Sequence, residues 1–246
     1  MGTPSPHALK MTSQHRENSK KTILTVEHLF IKSGTIRAIR VWPGGNMHEI
    51  DVHLPTVMFE RWTQAQSIKC RITPFHYTDY TPARWNIEEK ICTLYIDTSH
   101  NGVGSQWTKR QVARNEFHYL KIEAVNQFPV AGKRFVFLGD QTGIGHFCSL
   151  QQLAPVNTSI SGFIAFSDLQ TTNVFTENCP WLSLQAVSSY EAIYQQAEEW
   201  ATRHQAEKEN FMVYLVGHAT LVVTLRKLLK SYGFAGSQVK SKGFWQ

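Results

Sequence analysis

Residues 134–145, Arg-Phe-Val-Phe-Leu-Gly-Asp-Gln-Thr-Gly-Ile-Gly, decide the fold of the C-terminal half of the chain. The run 134–138, apolar after Arg134, leads directly into a glycine-rich turn and then into an apolar helical stretch, Gly145–Leu153. Strands buried on both faces of a parallel sheet have this continuous apolar character. The segment therefore predicts a strand, a turn and a helix, with the turn at the edge where open α/β sheets hold their ligands.

Strand and helix patterns alternate from this segment to the C-terminus. The pattern predicts strands at Ser161–Phe166, Leu184–Val187 and Phe211–Val216, and helices at Tyr190–His204 and Ala219–Ser231. Such alternation is typical of a parallel sheet with helices on its faces. We assign residues 128–246 to a small α/β domain.

The preceding hundred residues have a different rhythm, with short β-branched and aromatic runs separated by turn signals such as Pro43-Gly44-Gly45-Asn46. This spacing predicts an antiparallel β-barrel over residues 21–127. A polar tail, predicted to be flexible, precedes it at residues 1–20. The predicted barrel elements are strands at Thr22–Val26, Thr35–Trp42, Ile68–Ile72, Ile91–Asp97 and Phe117–Ala124, and a helix at Gln106–Ala113.

The composition agrees with a folded chain of two domains. Of the 246 residues, 42% are hydrophobic and 18% are charged, which excludes the disordered class. The formal charge of +6 favours an anionic partner or a solvated basic surface. The basic residues are dispersed and not interleaved with aromatic residues, so we expect no nucleic-acid partner.

The cysteines and the apolar runs limit the compartment and the metal chemistry. Cys70, Cys92, Cys148 and Cys179 form no Cys-x-x-Cys pair, and we expect free thiols in the core and no metal site. No run of about 18 apolar residues occurs, and the N-terminus has no secretory pattern. We expect a cytoplasmic monomer with no membrane partner.

Two barrel segments carry patterns suited to a cofactor. Thr78-Asp79-Tyr80-Thr81-Pro82-Ala83-Arg84-Trp85-Asn86 supplies an aromatic ring beside hydroxyl groups, and on its own it also fits an edge strand and a turn. His100-Asn101-Gly102-Val103-Gly104-Ser105-Gln106-Trp107 is a glycine-rich loop that opens a helix. Such a loop lets backbone N–H groups approach a pyrophosphate, although alone it is more often a turn and an N-cap.

Two further segments belong to the α/β half. Gly139–Gly145 fits a ligand-binding βα turn, and a plain turn is the simpler alternative. Tyr214-Leu215-Val216-Gly217-His218-Ala219-Thr220 is followed by Arg226 and by the terminal run Lys242-Gly243-Phe244-Trp245.

In this order along the chain, the four segments resemble the motifs of the siderophore-interacting family, whose members are NAD(P)H-dependent ferric-siderophore reductases of the ferredoxin-reductase superfamily. The resemblance spans Thr22–Trp245 and implies FAD on the barrel and NAD(P)H on the sheet. It implies cofactor contacts at Tyr80, Thr81, Pro82, Arg84, His100, Gly102, Val103, Gly104, Ser105, Trp107, Asp140, Thr142, Gly217, His218 and Trp245. It implies contacts to a ferric siderophore at Arg226, Lys240 and Lys242.

The chain departs from the family pattern by small changes, in which Val103 replaces a proline and Gly104 and Gly143 each replace an alanine, and by larger changes at three further positions. Thr78 stands where the family has an arginine that pairs with the flavin phosphate, and Asn86 stands where an acid is usual. His218 replaces the usual glutamate, and a capping or solvent-facing histidine is the alternative interpretation. These departures leave two other functions open: a flavin reductase of other acceptors, and a binding protein without turnover.

Overall fold

The structure is a computed structural model that describes residue 27 and residues 29–244. The predicted tail, the predicted strand Thr22–Val26 and the predicted contact residue Trp245 lie outside these residues. The described chain forms two sheets, and their architecture confirms the predicted fold class: an antiparallel sheet followed by a parallel sheet with helices.

The first sheet contains seven strands that pair antiparallel, in the order β4-β3-β7-β1-β2-β6-β5. They are β1 (Lys32–Val41), β2 (Met47–His53), β3 (Gln66–Thr73), β4 (His76–Tyr80), β5 (Pro82–Asn86), β6 (Ile91–Asp97) and β7 (Glu116–Ala124). Strands β4 and β5 lie at opposite ends of this order, yet Thr81 alone joins them. The sheet therefore curls until its two edges meet, and Thr81 lies at the seam.

Alternating burial along the strands fills the inside of the curled sheet. In β3, Ile68, Cys70 and Ile72 are buried, whereas Lys69 and Arg71 between them are only partly covered. This period of two is the geometric consequence of side chains that point to opposite faces. The result is a barrel core that is separate from the core of the second sheet.

Helix α1 (Val103–Lys109), which lies between β6 and β7, begins and ends earlier than the predicted helix Gln106–Ala113. Gly102 is its N-cap, so the glycine-rich segment forms the first turn of the helix and not a loop in front of it. The prediction placed Gly104 in the glycine-rich loop in front of the helix. Its place in the helix has a packing reason, given below.

The second sheet contains five parallel strands in the order β10-β9-β8-β11-β12. They are β8 (Arg134–Asp140), β9 (Ile160–Ala165), β10 (Gln185–Val187), β11 (Phe211–His218) and β12 (Val239–Phe244). The helices are α2 (Ile144–Leu153), α3 (Leu169–Asn178), α4 (Tyr190–His204) and α5 (Ala219–Ser231). Strands β9 and β10 lie on one side of β8, and β11 lies on the other. The strand order therefore reverses between β8 and β11, and such a switch point opens a crevice at the carboxyl ends of the strands.

The barrel packs against the α2 and α3 face of the parallel sheet. One apolar cluster joins Trp42 and Tyr95 of the barrel half to Ile144 and Phe175 of the other half. The ring centroids of Trp42 and Phe175 are 6.4 Å apart. The opposite face of the sheet carries α4 and α5 on a core of its own. The predicted boundary between residues 127 and 128 stays a prediction, placed in the segment between β7 and β8.

Two further observations concern the described residues. All four cysteines are buried and free. Within residue 27 and residues 29–244, every helix is too short or too polar to cross a lipid bilayer.

Candidate functional site

Two adjoining clefts open where the barrel meets the carboxyl edge of the parallel sheet. The first has a volume of about 340 Å³, and its lining includes Tyr80, Thr81 and Ser105 from the barrel half and Thr142, Lys242 and Phe244 from the other half. The second has a volume of about 720 Å³ and lies over the switch point. Asp97, His100 and Thr142 line both clefts, so the two spaces are neighbours. Both volumes are of the size that holds a small ligand or part of a cofactor.

Tyr80 forms an aromatic wall of the first cleft. Its ring stacks on Trp107 with centroids 6.4 Å apart, and Trp107 in turn packs edge-on against Phe117 in the barrel core. Burial raises the pKa of Tyr80, so its phenol stays protonated. Trp107 itself is not among the lining residues of either cleft, and its role is to hold the ring of Tyr80.

Gly104 lets helix α1 approach this wall. A β-carbon on Gly104 would lie 2.6 Å from the hydroxyl oxygen of Tyr80 and 3.4 Å from the hydroxyl oxygen of Thr78. The structure thus brings together the Tyr80 and Gly104 segments, which the sequence places in separate motifs. Val103, one residue earlier, is 60% exposed and lines neither cleft.

Ser105 supplies a polar group with no partner in the protein. Its residue is only 2% exposed, it lines the first cleft, and among the described residues its hydroxyl has no hydrogen-bond partner. A buried hydroxyl without a partner costs free energy, and a ligand group in the cleft would remove this cost.

Thr81 ties the barrel seam to helix α2. Its hydroxyl lies 3.5 Å from Nδ1 of His146, and Nε2 of that buried ring contacts the side-chain oxygen of Gln127. A β-carbon on Gly145 would lie 2.9 Å from the carbonyl oxygen of Thr81. Burial, assisted by the charge of Lys242, lowers the pKa of His146 to about 3. His146 is therefore a neutral hydrogen-bonding group at the junction of the two halves.

Asp140 organises the second cleft. Its carboxylate accepts hydrogen bonds from the backbone N–H of Thr142 at 3.0 Å, from the Thr142 hydroxyl at 2.5 Å, from the backbone N–H of His218 at 2.7 Å and from the Tyr190 hydroxyl at 3.0 Å. Gly217 has a φ of +152°, and a β-carbon there would lie 2.8 Å from the carboxylate. This glycine therefore allows β8 and β11 to share one carboxylate at their carboxyl ends.

His218 is a helix cap that also lines the second cleft. It is the N-cap residue of α5, and its Nδ1 accepts a hydrogen bond from the backbone N–H of Thr220 at 3.3 Å. The alternative interpretation of His218 as a capping residue therefore agrees with its hydrogen bond to Thr220. The residue also lines the second cleft, beside Tyr190.

Four predicted contact residues of the α/β edge and the barrel lie away from the clefts. Pro82 is buried in the ladder opposite Leu94. The guanidinium of Arg84 lies 3.8 Å from the centre of the Trp181 ring. Arg226 contacts the Ser241 hydroxyl at 3.4 Å, and Lys240 lies 5.7 Å from the Phe128 ring centre. Of the predicted substrate contacts, Lys242 alone lines a cleft in the described chain.

Tyr190 and Asp97 both line the clefts, and the motifs of the sequence did not indicate either residue. Tyr190 follows the N-cap Ser189 at the start of α4, directly after the strand predicted at Leu184–Val187. The rule that ligands lie beyond the carboxyl ends of parallel strands was sufficient to indicate it. Asp97 ends a barrel strand, and no local signal distinguishes it from an ordinary strand end.

Comparison with known proteins places this geometry in context. No protein-family model matches the sequence, and no curated protein sequence matches it. A siderophore-interacting protein of Acinetobacter baumannii superposes with a TM-score of 0.68 at 15% identity, over 87% of this chain and 90% of its own. The fold is that of siderophore-interacting proteins. At this level of identity the likeness shows the fold alone.

Two ferredoxin reductases are also similar in fold. The ferredoxin reductase of carbazole 1,9a-dioxygenase, solved in its FAD apo form, superposes with a TM-score of 0.67 at 13% identity, over 88% of this chain and 66% of its own. A ferredoxin-NADP+ reductase of Plasmodium falciparum, solved with 2′P-AMP, has a TM-score of 0.62 at 13% identity, over 86% of this chain and 95% of its own. This chain therefore shares its fold with ferredoxin reductases as well as with siderophore-interacting proteins.

Proposed function

We propose that this protein is a flavoprotein oxidoreductase that binds FAD in the first cleft, takes electrons from NAD(P)H in the second, and reduces ferric siderophores. The observation that carries the proposal is the unpartnered hydroxyl of Ser105 beside the Tyr80 wall, in a cleft that adjoins the switch point of a parallel sheet. The motif resemblance and the shared fold support it.

The residues of the first cleft fit a flavin. Tyr80 presents a rigid aromatic surface, the Thr81 hydroxyl lies at the barrel seam, and Gly104 keeps the helix close to the Tyr80 ring. A flat ring with a few polar edge atoms is bound by this combination of an aromatic wall and a few hydroxyls. Ser105 can donate its hydrogen bond to a phosphate or ribose oxygen of the same ligand.

Few positively charged side chains of the described chain line the first cleft. Thr78 takes the place of the family arginine, and Arg84 packs over Trp181 instead of facing the cleft. In the described chain, Lys242 is the single Lys or Arg that lines either cleft. We infer that FAD binding depends on neutral hydrogen bonds and stacking more than on ion pairs, and that Lys242 is the group that attracts an anionic ferric chelate.

The protein's own groups supply position and protection in the proposed reaction. A flavin, when bound, exchanges two electrons with a nicotinamide and single electrons with iron, so one NAD(P)H serves two ferric ions. Tyr80 and Thr81 hold one reactant on the barrel, and the Asp140 network fixes the floor of the neighbouring cleft. Reduction releases the iron because hard, anionic oxygen ligands hold Fe(III) more strongly than Fe(II).

One anaerobic experiment tests the proposal. Purified protein is titrated with FAD while the visible absorbance is followed, then mixed with NADH or NADPH, and then with a ferric siderophore and a colorimetric Fe(II) chelator. We expect saturable FAD binding, bleaching of the flavin band by the nucleotide, and its return together with Fe(II). Absence of FAD binding would refute the proposal. Bleaching that is reversed by quinones but not by ferric siderophores would favour the alternative of a reductase of other acceptors.

A further inference from the structure

The second cleft is lined by carboxylates and by no fixed cation. Asp97, Asp140 and Glu191 line it, and no Lys or Arg of the described chain does so. Lys242 lines only the neighbouring flavin cleft. The overall charge of the protein is +6, so this acidic lining runs against the composition of the whole chain.

Within the part of the chain that the structure describes, no Lys, Arg or His side chain pairs with these carboxylates. Asp140 accepts four hydrogen bonds, all from uncharged groups of Thr142, His218 and Tyr190. Asp97 accepts one from the backbone N–H of Ser99 at 2.9 Å. The cleft therefore presents net negative charge to its ligand.

We infer that the second cleft takes NADH and discriminates against NADPH, an inference that rests on the proposed function. The two nucleotides differ by a phosphate on the adenosine 2′-hydroxyl, which carries a charge of about −2 at neutral pH. Sites that accept this phosphate place an arginine beside it, whereas sites for the free 2′-hydroxyl place a carboxylate there. The described lining of this cleft has carboxylates and no arginine.

The fold does not decide this preference. A ferredoxin-NADP+ reductase shares the fold, so the same arrangement of strands can serve the phosphorylated nucleotide. The choice depends on the side chains at the carboxyl edge. Here that edge offers the hydroxyls of Ser167 and Ser188, which can bond either group, and the carboxylate of Glu191, which accepts hydrogen bonds from ribose hydroxyls and repels a phosphate dianion.

Glu191 is the residue of this lining best suited to a test. It is exposed in the first turn of α4, outside the Asp140 network, so its substitution leaves the packing intact. Glu199 lies on the same helix, is also exposed, and lines neither cleft. Eight residues separate the two, a rise of about 12 Å along the helix. The pair E191Q and E199Q therefore makes the same chemical change near to and far from the cleft.

The experiment measures binding of the oxidised nucleotides, which do not turn over. FAD-loaded protein is titrated with NAD+ and with NADP+ by calorimetry at low ionic strength and again at about 0.5 M salt, where charges are screened within a few ångströms. We expect NAD+ to bind at least ten-fold more tightly at low salt and the ratio to fall as salt rises. E191Q should reduce the ratio about three-fold through tighter NADP+ binding, while E199Q leaves it unchanged.

The outcomes separate this inference from the function on which it rests. Equal binding of the two nucleotides, or tighter binding of NADP+, overturns the inference and leaves the reductase proposal standing. If NAD+ binds more tightly but the ratio of the two affinities is the same in E191Q and at high salt, the carboxylates are not the cause of the preference, and the inference is wrong. If neither nucleotide binds while FAD does, the proposed use of NAD(P)H fails, and the inference fails with it.

Discussion

The hydroxyl oxygen of Tyr80 lies 2.6 Å from the position that a β-carbon on Gly104 would occupy. Real β-carbons do not approach other heavy atoms that closely, so any larger residue at 104 must displace the ring or the helix. Gly104 lies inside α1 and has no left-handed backbone angle that would require glycine. The requirement for glycine here comes from packing, and it joins two distant motifs in one cleft.

We predict that Gly104→Ala weakens FAD binding about ten-fold, because overpacking a site of this kind costs roughly 1–3 kcal/mol and shifts the aromatic wall. The dissociation constant for FAD, measured by quenching of flavin fluorescence, checks this. Gly236→Ala is the control, since a β-carbon at 236 meets nothing within 4 Å. Wild-type affinity in the Gly104→Ala protein would show that the ring of Tyr80 does not contact the flavin.

The unpartnered hydroxyl of Ser105 gives a second prediction, with a matched control in the same protein. Ser149 in α2 is also buried without a hydrogen-bond partner in the described chain, but it lines neither cleft. We expect Ser105→Ala to weaken FAD binding about ten-fold, the effect of losing one hydrogen bond to a charged group. Ser149→Ala should leave FAD binding unchanged.

The stability of the flavin-free protein shows whether the Ser105 hydroxyl serves ligand binding or folding. Neither alanine variant should lower the melting temperature without flavin, because each removes a buried polar group that has no partner. A marked loss of stability in Ser105→Ala would mean that this hydroxyl serves folding, and the argument for a ligand contact would fail.

The two lysines of β12 differ in their relation to the first cleft. Lys242 lines it, whereas Lys240 lies near the Phe128 ring. We predict that Lys242→Gln raises the KM for an anionic ferric siderophore about five-fold, consistent with the loss of one partly solvated charge contact. Lys240→Gln should leave the KM unchanged. Steady-state kinetics with an anionic and a neutral ferric chelate check this, and an equal effect on both chelates would contradict an electrostatic role.

The elements that the sequence predicted best are those with strong local signals. Helices α4 and α5 begin and end where the pattern indicates, and α4 follows Ser189, whose side chain accepts a hydrogen bond from the Ala192 N–H. Strand β6 also has its predicted bounds. In these elements the hydrophobic period, the caps and the tertiary packing all agree.

The missed elements depend on tertiary contacts. Strand β2 contains His48, Glu49 and Asp51, and it is stabilised as a strand because Arg40 on β1 pairs with both carboxylates. Strand β12 has a polar sequence because it is an edge strand with a single partner in the described sheet. Helix α3 buries only Thr171 and Phe175, so its apolar period is weak.

The sequence predicted the site residues that lie within motifs, but not the side-chain positions that depend on contacts between distant elements. Tyr80, Gly104, Ser105 and Asp140 were indicated by sequence, and the structure places each at or against a cleft. The sequence did not indicate the direction of the Arg84 side chain. The backbone of Arg84 adopts a φ of 49°, and its guanidinium packs over Trp181, which belongs to the other half of the chain.

The buried ring of His146 gives a prediction about pH and stability. Burial holds its pKa at about 3 in the folded protein, against an ordinary value of 6.5. Between these values the unfolded chain binds a proton that the folded chain does not, so stability decreases as the pH falls below 6.5. This residue alone contributes a slope of up to about 1.4 kcal/mol per pH unit.

The slope is best measured between pH 6.5 and 5, above the range in which most carboxylates titrate. Chemical denaturation of the flavin-free protein at several pH values gives the free energy of unfolding. His146→Gln lacks the titrating ring and should lower the slope by the share of His146, whatever its effect on stability at pH 7, and the share of His48 and His53, whose pKa values burial also lowers, should remain. His76→Gln, which alters an exposed ring, is the control and should keep the wild-type slope. If His146→Gln keeps that slope as well, the ring binds a proton in the folded protein as readily as in the unfolded chain. The interpretation of His146 as a neutral hydrogen-bonding group beside Thr81 at the junction of the two halves would then be wrong.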